Sequence, residues 1–449
     1  MTLRRRAAGV RNRLLGSVAP VPPPGSTPPA PPSASVRDID AATPAADDAV
    51  DVVDLLNTYT VEQLSEAADE YYRTNLAGDG RDYYFAKPAT GVDEASEILI
   101  CFAQVLAGVR PIRGMRVLDF GAGTGWTSRF LTQLGCEVVV CDVSATALDV
   151  ARELFARQPV AGDQPEPTYL RFDGHHLDLP DESIDRIFCI DAFHHVPNPA
   201  AVLHELGRVL RPGGVAGFQE PGPNHSKDPQ SQFEMKNFTV IENDVRMRDI
   251  AKWADAAGFT GLELAIFTWH PFHTSIEGYE DYLAHGATAD LHYEHHRQFV
   301  ANRRIFFLSK GEPLVADSRD PRGLRAEIQA TPDQLTATPG GIARVQLTLR
   351  NTGTGLWLPS DGPAIGRVLV GAHLYDGHRR MLERDHLRAP LPAPTPSGVA
   401  PGEQVTLSIE VPVPDAPGNY TVALDLVAEG VCWFENIDTA PAIIQIAVG

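Results

Sequence analysis

From Met115 onward two kinds of apolar run alternate, and that alternation limits the fold more than any other feature of the chain. Strand-like runs (MRVLDF, EVVVCDV, TYLRF, DRIFCI, GVAGF, LELAIF, RRIFFL) are separated, through the first five, by helical stretches such as SRFLTQL, ATALDVARELFA and AVLHELGRVL. Short apolar strands alternating with helices bury both faces, which predicts a mostly parallel sheet with helices on each side. Seven strands ending in a closely spaced pair fit a doubly wound α/β sheet with one reversed strand. Between residues 52 and 109, apolar side chains recur at helical spacing (Leu55, Leu64, Ala68, Tyr71, then Ile98, Cys101, Phe102, Val105), which predicts helices broken around residues 78–90.

The rest of the 449 residues has a different character. Fifteen of the 37 prolines lie from Pro313 onward, among alternating runs such as ARVQLTLRN, RVLVGAHLY, EQVTLSIEVPV, NYTVALDLV and AIIQIAV. Turn signals (NTGTG, PSDGP, APGE, DAPGN) separate them, and an all-β sandwich of roughly seven or eight strands is expected. Residues 20–32 hold eight prolines, which predicts an extended linker behind a basic tail containing Arg4, Arg5, Arg6, Arg11 and Arg13. Arg11 and Arg13 interrupt any apolar core of an export signal, so a cytoplasmic protein is expected. The tail reads as a disordered basic segment, or as a weak contact with an anionic membrane face, placing the protein peripherally at the inner membrane. The formal net charge of −20 argues against nucleic acid as a partner. Five scattered cysteines, with no CxxC pair, fit a reducing compartment.

The chemistry concentrates where the first strand ends, in Val117-Leu118-Asp119-Phe120-Gly121-Ala122-Gly123-Thr124-Gly125-Trp126. Glycines at 121, 123 and 125 let a backbone approach a ligand where a Cβ would clash. The spacing is GxGxG, not the GxGxxG of dinucleotide binders, and Asp119 sets negative charge where a pyrophosphate would lie. A cationic amino-acid group suits that position better. Asp142 ends the second strand, where a carboxylate can take both hydroxyls of a ribose and disfavours a 2′-phosphate.

VLDFGAGTGW, CDVS, RFDGHHLDLPDESID, DAFHHV and ELGRVLRPGG, in unbroken order over residues 115–214, resemble the type 11 group of class I S-adenosylmethionine-dependent methyltransferases. The resemblance implies a Rossmann-like sheet and S-adenosyl-L-methionine as cofactor. It implies that Gly121, Gly123 and Gly125 face the methionine part, that Asp119 holds its ammonium directly or through water, and that Asp142 holds the ribose hydroxyls. Val143 would flank the adenine, Asp173 would accept from its amino group beside Gly174, and Asp191 would line the methionine end. The implied domains are 1–50 (tail and linker), 51–312 (methyltransferase with a helical cap) and 313–449. The last region resembles immunoglobulin-like accessory domains of bacterial surface-polysaccharide proteins through NTGTGLW, PGE, PGNY and EGVCWF.

A hydroxyl acceptor needs a base. The candidates are His195, within the pair His194-His195, and His225 or Glu220 in the segment EPGPNHS after the fifth strand. Residues 81–88 (RDYYFAKP), preceded by Tyr71 and Tyr72, are predicted irregular and are read either as a lid over cofactor and acceptor or as aromatic core packing. His292 and His296 share a helical face, but nothing nearby completes a metal set, and no metal is expected. Trp357, Trp433 and Phe434 offer a sugar-stacking platform or ordinary core packing. The leading expectation is O-methylation of a sugar or glycan, with homo-oligomerisation or glycan binding left to the sandwich. The alternatives are a small-molecule natural-product methyltransferase and a non-catalytic cofactor-binding assembly protein.

Overall fold

The computed structural model describes residues 49–449 apart from 77–79, 268–271, 312–316 and 396–397. The expected tail and proline linker, and the domain boundary at 312/313, lie outside the described residues. Two compact units emerge, one through Pro111 and from Met115 to Pro313, the other Ile112–Gly114 with Leu314–Gly449.

The first unit opens with helices α1 (Val52–Thr58), α2 (Val61–Asn75), α3 (Gly80–Ala86) and α4 (Val92–Val109). Thr60 starts α2 with a capping box: its side chain accepts from Gln63 N while the Gln63 side chain accepts from Thr60 N. The lid segment expected to be irregular is helical over α3, because Phe85 buries against Leu76, Val150 and Leu154 and gives a short helix something to pack on.

The alternating region then runs β1 (Arg116–Phe120), α5 (Trp126–Gln133), β2 (Glu137–Asp142), α6 (Ala145–Arg157), β3 (Thr168–Arg171), β4 (Ile184–Ile190), α7 (Pro199–Val209) and β5 (Leu210–Pro221). After it come α8 (Pro229–Phe238), α9 (Met247–Ala256), β6 (Gly261–Leu264), α10 (Ile276–Leu283), α11 (Ala287–Asn302) and β7 (Arg303–Ser309). The seven strands order as β3-β2-β1-β4-β5-β7-β6. β7 is antiparallel to both β5 and β6, and the pairings among β1 to β5 are parallel. The doubly wound sheet with one reversed strand is therefore what forms. Its interior strands are apolar on both faces, with Leu118, Val139, Ile187 and Phe218 in one buried cluster.

The second unit contains nine strands among the described residues: β8 (Ala326–Thr331), β9 (Gln334–Ala337), β10 (Ile342–Asn351), β11 (Val368–Asp376), β12 (Met381–Pro390), β13 (Gln404–Pro412), β14 (Gly418–Ala428), β15 (Cys432–Trp433) and β16 (Ala442–Val448). They form a sheet β13-β10-β8 and a sheet β12-β11-β14-β16-β9, with β15 pairing β14. Inward residues of both sheets, among them Val345, Leu347, Val370 and Leu424, share one core. Trp357 and Phe434 are both fully buried in it, edge to face with centroids 5.6 Å apart. Trp433 is half-buried, with the Arg388 guanidinium 4.3 Å over its ring. The sugar-stacking platform is thus not formed: two of its three rings are core, because a sandwich needs large apolar side chains between its sheets.

Candidate active site

From β1 the chain crosses to β2 and β3, and from β4 it crosses the other way to β5, so a crevice opens beyond the carboxyl ends of these adjacent strands. A cavity of about 270 Å³ lies there, and Gly121, Gly123, Asp142, Asp191 and His195 are among its lining residues. The three glycines have φ of 69°, 53° and 81°, the left-handed region that a side chain rarely adopts. They do different work. A Cβ on Gly121 would meet Ala192 Cβ at 2.3 Å and one on Gly125 would meet Ala151 Cβ at 2.9 Å, so these two let protein pack on protein. A Cβ on Gly123 would meet the hydroxyl of Tyr72, which itself lines the cavity, so this glycine keeps the pocket open.

Asp142 is where the sequence puts it. Its Oδ2 accepts from Gly123 N and its Oδ1 from Ser144 N, both at 2.8 Å. Burial pushes its pKa up and those two backbone hydrogen bonds oppose the shift. Two bonds leave lone pairs on both oxygens of an ionised carboxylate, which can accept from a ribose diol. Val143, Phe120 and Phe172 add apolar walls beside it, suited to a base. Asp119 behaves differently from expectation. It does not line the cavity; its Oδ2 accepts from Thr127 Oγ1 at 2.6 Å and Ser128 Oγ at 2.5 Å, and burial raises its pKa to about 6. Its charge can reach a ligand only through the turn it supports. Asp173 is exposed and also off the cavity wall, because its Oδ1 accepts from His175 N and His176 N at 2.7 Å and ties that turn. Neighbouring Gly174 does line the cavity, and Asn198 Nδ2 donates to its carbonyl at 3.0 Å instead of capping α7. Asp191, at φ 53°, accepts from Arg303 Nη1 at 3.0 Å, and both residues line the cavity.

Helix α2 roofs this space with Leu64, Ser65, Ala68, Tyr71 and Tyr72, joined by Tyr84 of α3 and Lys87. A latch holds it down. Asp69, 4% exposed, accepts from Ser144 Oγ at 2.6 Å and Thr146 N at 2.9 Å through Oδ1, and from Arg73 through Oδ2. Burial alone would raise the Asp69 pKa, but the bonds from Ser144, Thr146 and Arg73 outweigh it and hold the carboxyl at about 2. A depressed acid stabilises above its unfolded value, near 3.9, and loses that contribution as pH falls through about 2, so the latch is set at any neutral pH. Asp69→Ala is expected to weaken cofactor affinity about tenfold, since charge-assisted bonds are each worth roughly 1.5–3 kcal/mol and part of that closes the roof. Calorimetric titration measures it, and an unchanged Kd would show that closure of α2 is not coupled to binding.

The two histidine-bearing segments meet, but not as expected. Glu220 is fully buried and off the cavity wall: its Oε1 accepts from Ala192 N and Phe193 N, and its Oε2 from His194 N and His194 Nδ1, the last at 2.6 Å. It cannot reach an acceptor, because the turn after β4 uses up its lone pairs. His225 is off the wall too, with Nε2 2.6 Å from Glu242 Oε2. Neither is placed to act as base. His195 does line the cavity, and its Nδ1 donates to Ile241 O at 2.7 Å. Asp69, Arg303 and Glu242 are the residues that sequence reading missed.

A carboxylate set for a diol, apolar walls for a base and a glycine turn closed by Tyr72 fit an S-adenosyl cofactor. The comparisons agree. Residues 118–218 match the family described as "Methyltransferase domain". Over 200 residues the chain is 28% identical to a ubiquinone biosynthesis O-methyltransferase of Alkalilimnicola ehrlichii, covering 41% of this chain and 76% of that protein. Over 156 residues it is 29% identical to the methyltransferase GfsG of Streptomyces halstedii, covering 34% of this chain and 55%, about half, of that one. A solved phosphoethanolamine N-methyltransferase of Haemonchus contortus overlaps 52% of this chain and 60% of its own with a TM-score of 0.35 at 19% identity, too low to add to the sequence matches. The chain therefore carries an S-adenosylmethionine-dependent methyltransferase domain.

Proposed function

We propose that the chain O-methylates a hydroxyl of a sugar or surface glycan, with His195 as the general base. The observation that carries the reading is the His195 hydrogen bond. A backbone carbonyl only accepts, so the 2.7 Å contact with Ile241 O fixes the proton on Nδ1 and leaves Nε2 basic, on a ring that lines the cavity. S-adenosylmethionine supplies an electrophilic methyl on a sulfonium. His195 Nε2 takes the acceptor's hydroxyl proton as its oxygen bonds to that methyl and the sulfur–carbon bond breaks, leaving a thioether. The roof and walls exclude water, and Asp142 and the glycine turn fix the donor.

A sugar acceptor is supported by the lining of Tyr71, Tyr72, Gln219 and Glu234, aromatic faces and hydrogen-bonding groups side by side. Leu64, Ile98, Val196 and Val240 are apolar and favour a second reading, a natural-product acceptor, to which the likeness to GfsG also points. The glycan reading takes the enzyme as cytoplasmic, with the arginine-rich tail touching an anionic membrane face. No described helix is long and apolar enough to cross a membrane.

Transfer of labelled methyl from the cofactor to a polymeric glycan fraction tests this. The label is expected to resist mild alkali, as an ether does and a methyl ester does not. Transfer confined to small apolar acceptors would move the assignment to the natural-product reading. Cofactor binding without turnover on any acceptor would favour the assembly-protein reading.

A further inference from the structure

Behind the cavity wall, three polar side chains converge from three segments that are distant in sequence. His194 comes from the turn after β4, His225 from the turn after β5, and Glu242 from the segment between α8 and α9. Each offers one ligand atom, and these atoms lie within 4.8 Å of one another. We propose that His194, His225 and Glu242 form a site for a divalent transition metal of the zinc class.

The tautomer of His194 is the first support. Its Nδ1 lies 2.6 Å from Glu220 Oε2, on a carboxylate that already accepts from three backbone amides; with Nδ1 donating to that carboxylate, Nε2 carries a lone pair. That Nε2 is buried with no hydrogen-bond partner, on a residue 2% exposed, and it faces Glu242 Oε2 at 3.8 Å. Two lone-pair-bearing atoms turned toward each other in a buried place are stabilised by a cation between them. A metal-binding histidine typically donates its other ring N–H to a carboxylate, and Glu220 stands in that place.

The ligand chemistry selects the metal. Two imidazoles and one carboxylate suit zinc, cobalt or iron, whereas magnesium and calcium prefer all-oxygen shells. Ligands at about 2.0–2.2 Å from a tetrahedral zinc lie roughly 3.3 Å from each other. His225 Nε2 and Glu242 Oε2, at 2.6 Å, need to part slightly, and His194 Nε2, at 3.8 Å, needs to move in slightly. Ser231 Oγ, fully buried and 3.1 Å from Glu242 Oε2, is at hand to orient the carboxylate. The half-buried pair His292 and His296, stacked at 5.7 Å, has no third ligand grouped with it among the described residues. The site is independent of which acceptor is methylated. Its effect is to clamp the turns after β4 and β5 to the segment that holds His195 in place.

Full-length protein stripped with chelator and titrated with cobalt(II) tests the proposal. About one equivalent is expected to bind with visible d–d bands, displaced by zinc. His225→Ala and, separately, Glu242→Gln are expected to weaken binding roughly a hundredfold, while His292→Ala/His296→Ala leaves it intact. Zinc should raise the Tm of the wild type and not that of His225→Ala. Should the single variants fail to fold, X-ray absorption on the zinc-loaded wild type decides, with two imidazoles and a carboxylate oxygen expected. No stoichiometric cobalt or zinc in the wild type, a sulfur or all-oxygen shell, or binding lost in the His292/His296 variant overturns it.

Discussion

Asp142→Ala is expected to remove measurable S-adenosylmethionine binding, a loss of at least about a hundredfold, while the fold survives. The variant deletes the acceptor of Gly123 N and Ser144 N, each held at 2.8 Å, and with it the carboxylate proposed to hold the ribose. At roughly 1.5–3 kcal/mol per bond to a charged group, two such bonds lost in the bound state already account for that factor. Gly123→Val should do the same by another route, since its φ is 53° and its Cβ would reach the Tyr72 hydroxyl at 2.8 Å. Calorimetry alongside far-ultraviolet circular dichroism separates binding from folding. Near-native affinity in both variants would remove the cofactor from this turn.

His195→Ala should act on the other term. General-base removal lowers kcat by roughly 10²–10⁴, and the cofactor Kd should move by no more than about twofold. The ring lines the cavity without holding the glycine turn, which is why binding is spared. Full turnover in the variant, on an acceptor the wild type methylates, would mean that the hydroxyl loses its proton elsewhere.

The strands and the glycine turn were legible because their signals are local: an apolar run, a turn, a helix. All seven strands of the parallel-type sheet stand where the apolar runs lie. β12 was not legible, because it is an edge strand whose residues are largely exposed and carry no inside–outside alternation. Asp69 was invisible for a different reason. It sits mid-helix, and its partners Ser144 and Thr146 lie more than seventy residues away, so nothing near it marks it. Resemblance named Asp119 and Asp173 as cofactor contacts, and neither side chain lines the cavity. Their side chains are spent on neighbouring hydroxyls and amides, a matter of rotamers that spacing does not encode. Glu220 and His225 were read as alternative bases in one segment after the fifth strand. The long β5 carries Glu220 into the core first, and Glu242, with no motif of its own, meets His225 there.

The roof helix has a kinetic consequence. One element, α2, lines the cavity at Leu64 and Ser65 and again, two turns on, at Tyr71 and Tyr72. A roof of one helix over one cavity ties the exchange of donor and acceptor to the same element, so both products would wait on the same movement of α2. The expected kinetic pattern is an ordered entry of the two substrates, which initial-rate analysis with the demethylated cofactor as product inhibitor measures.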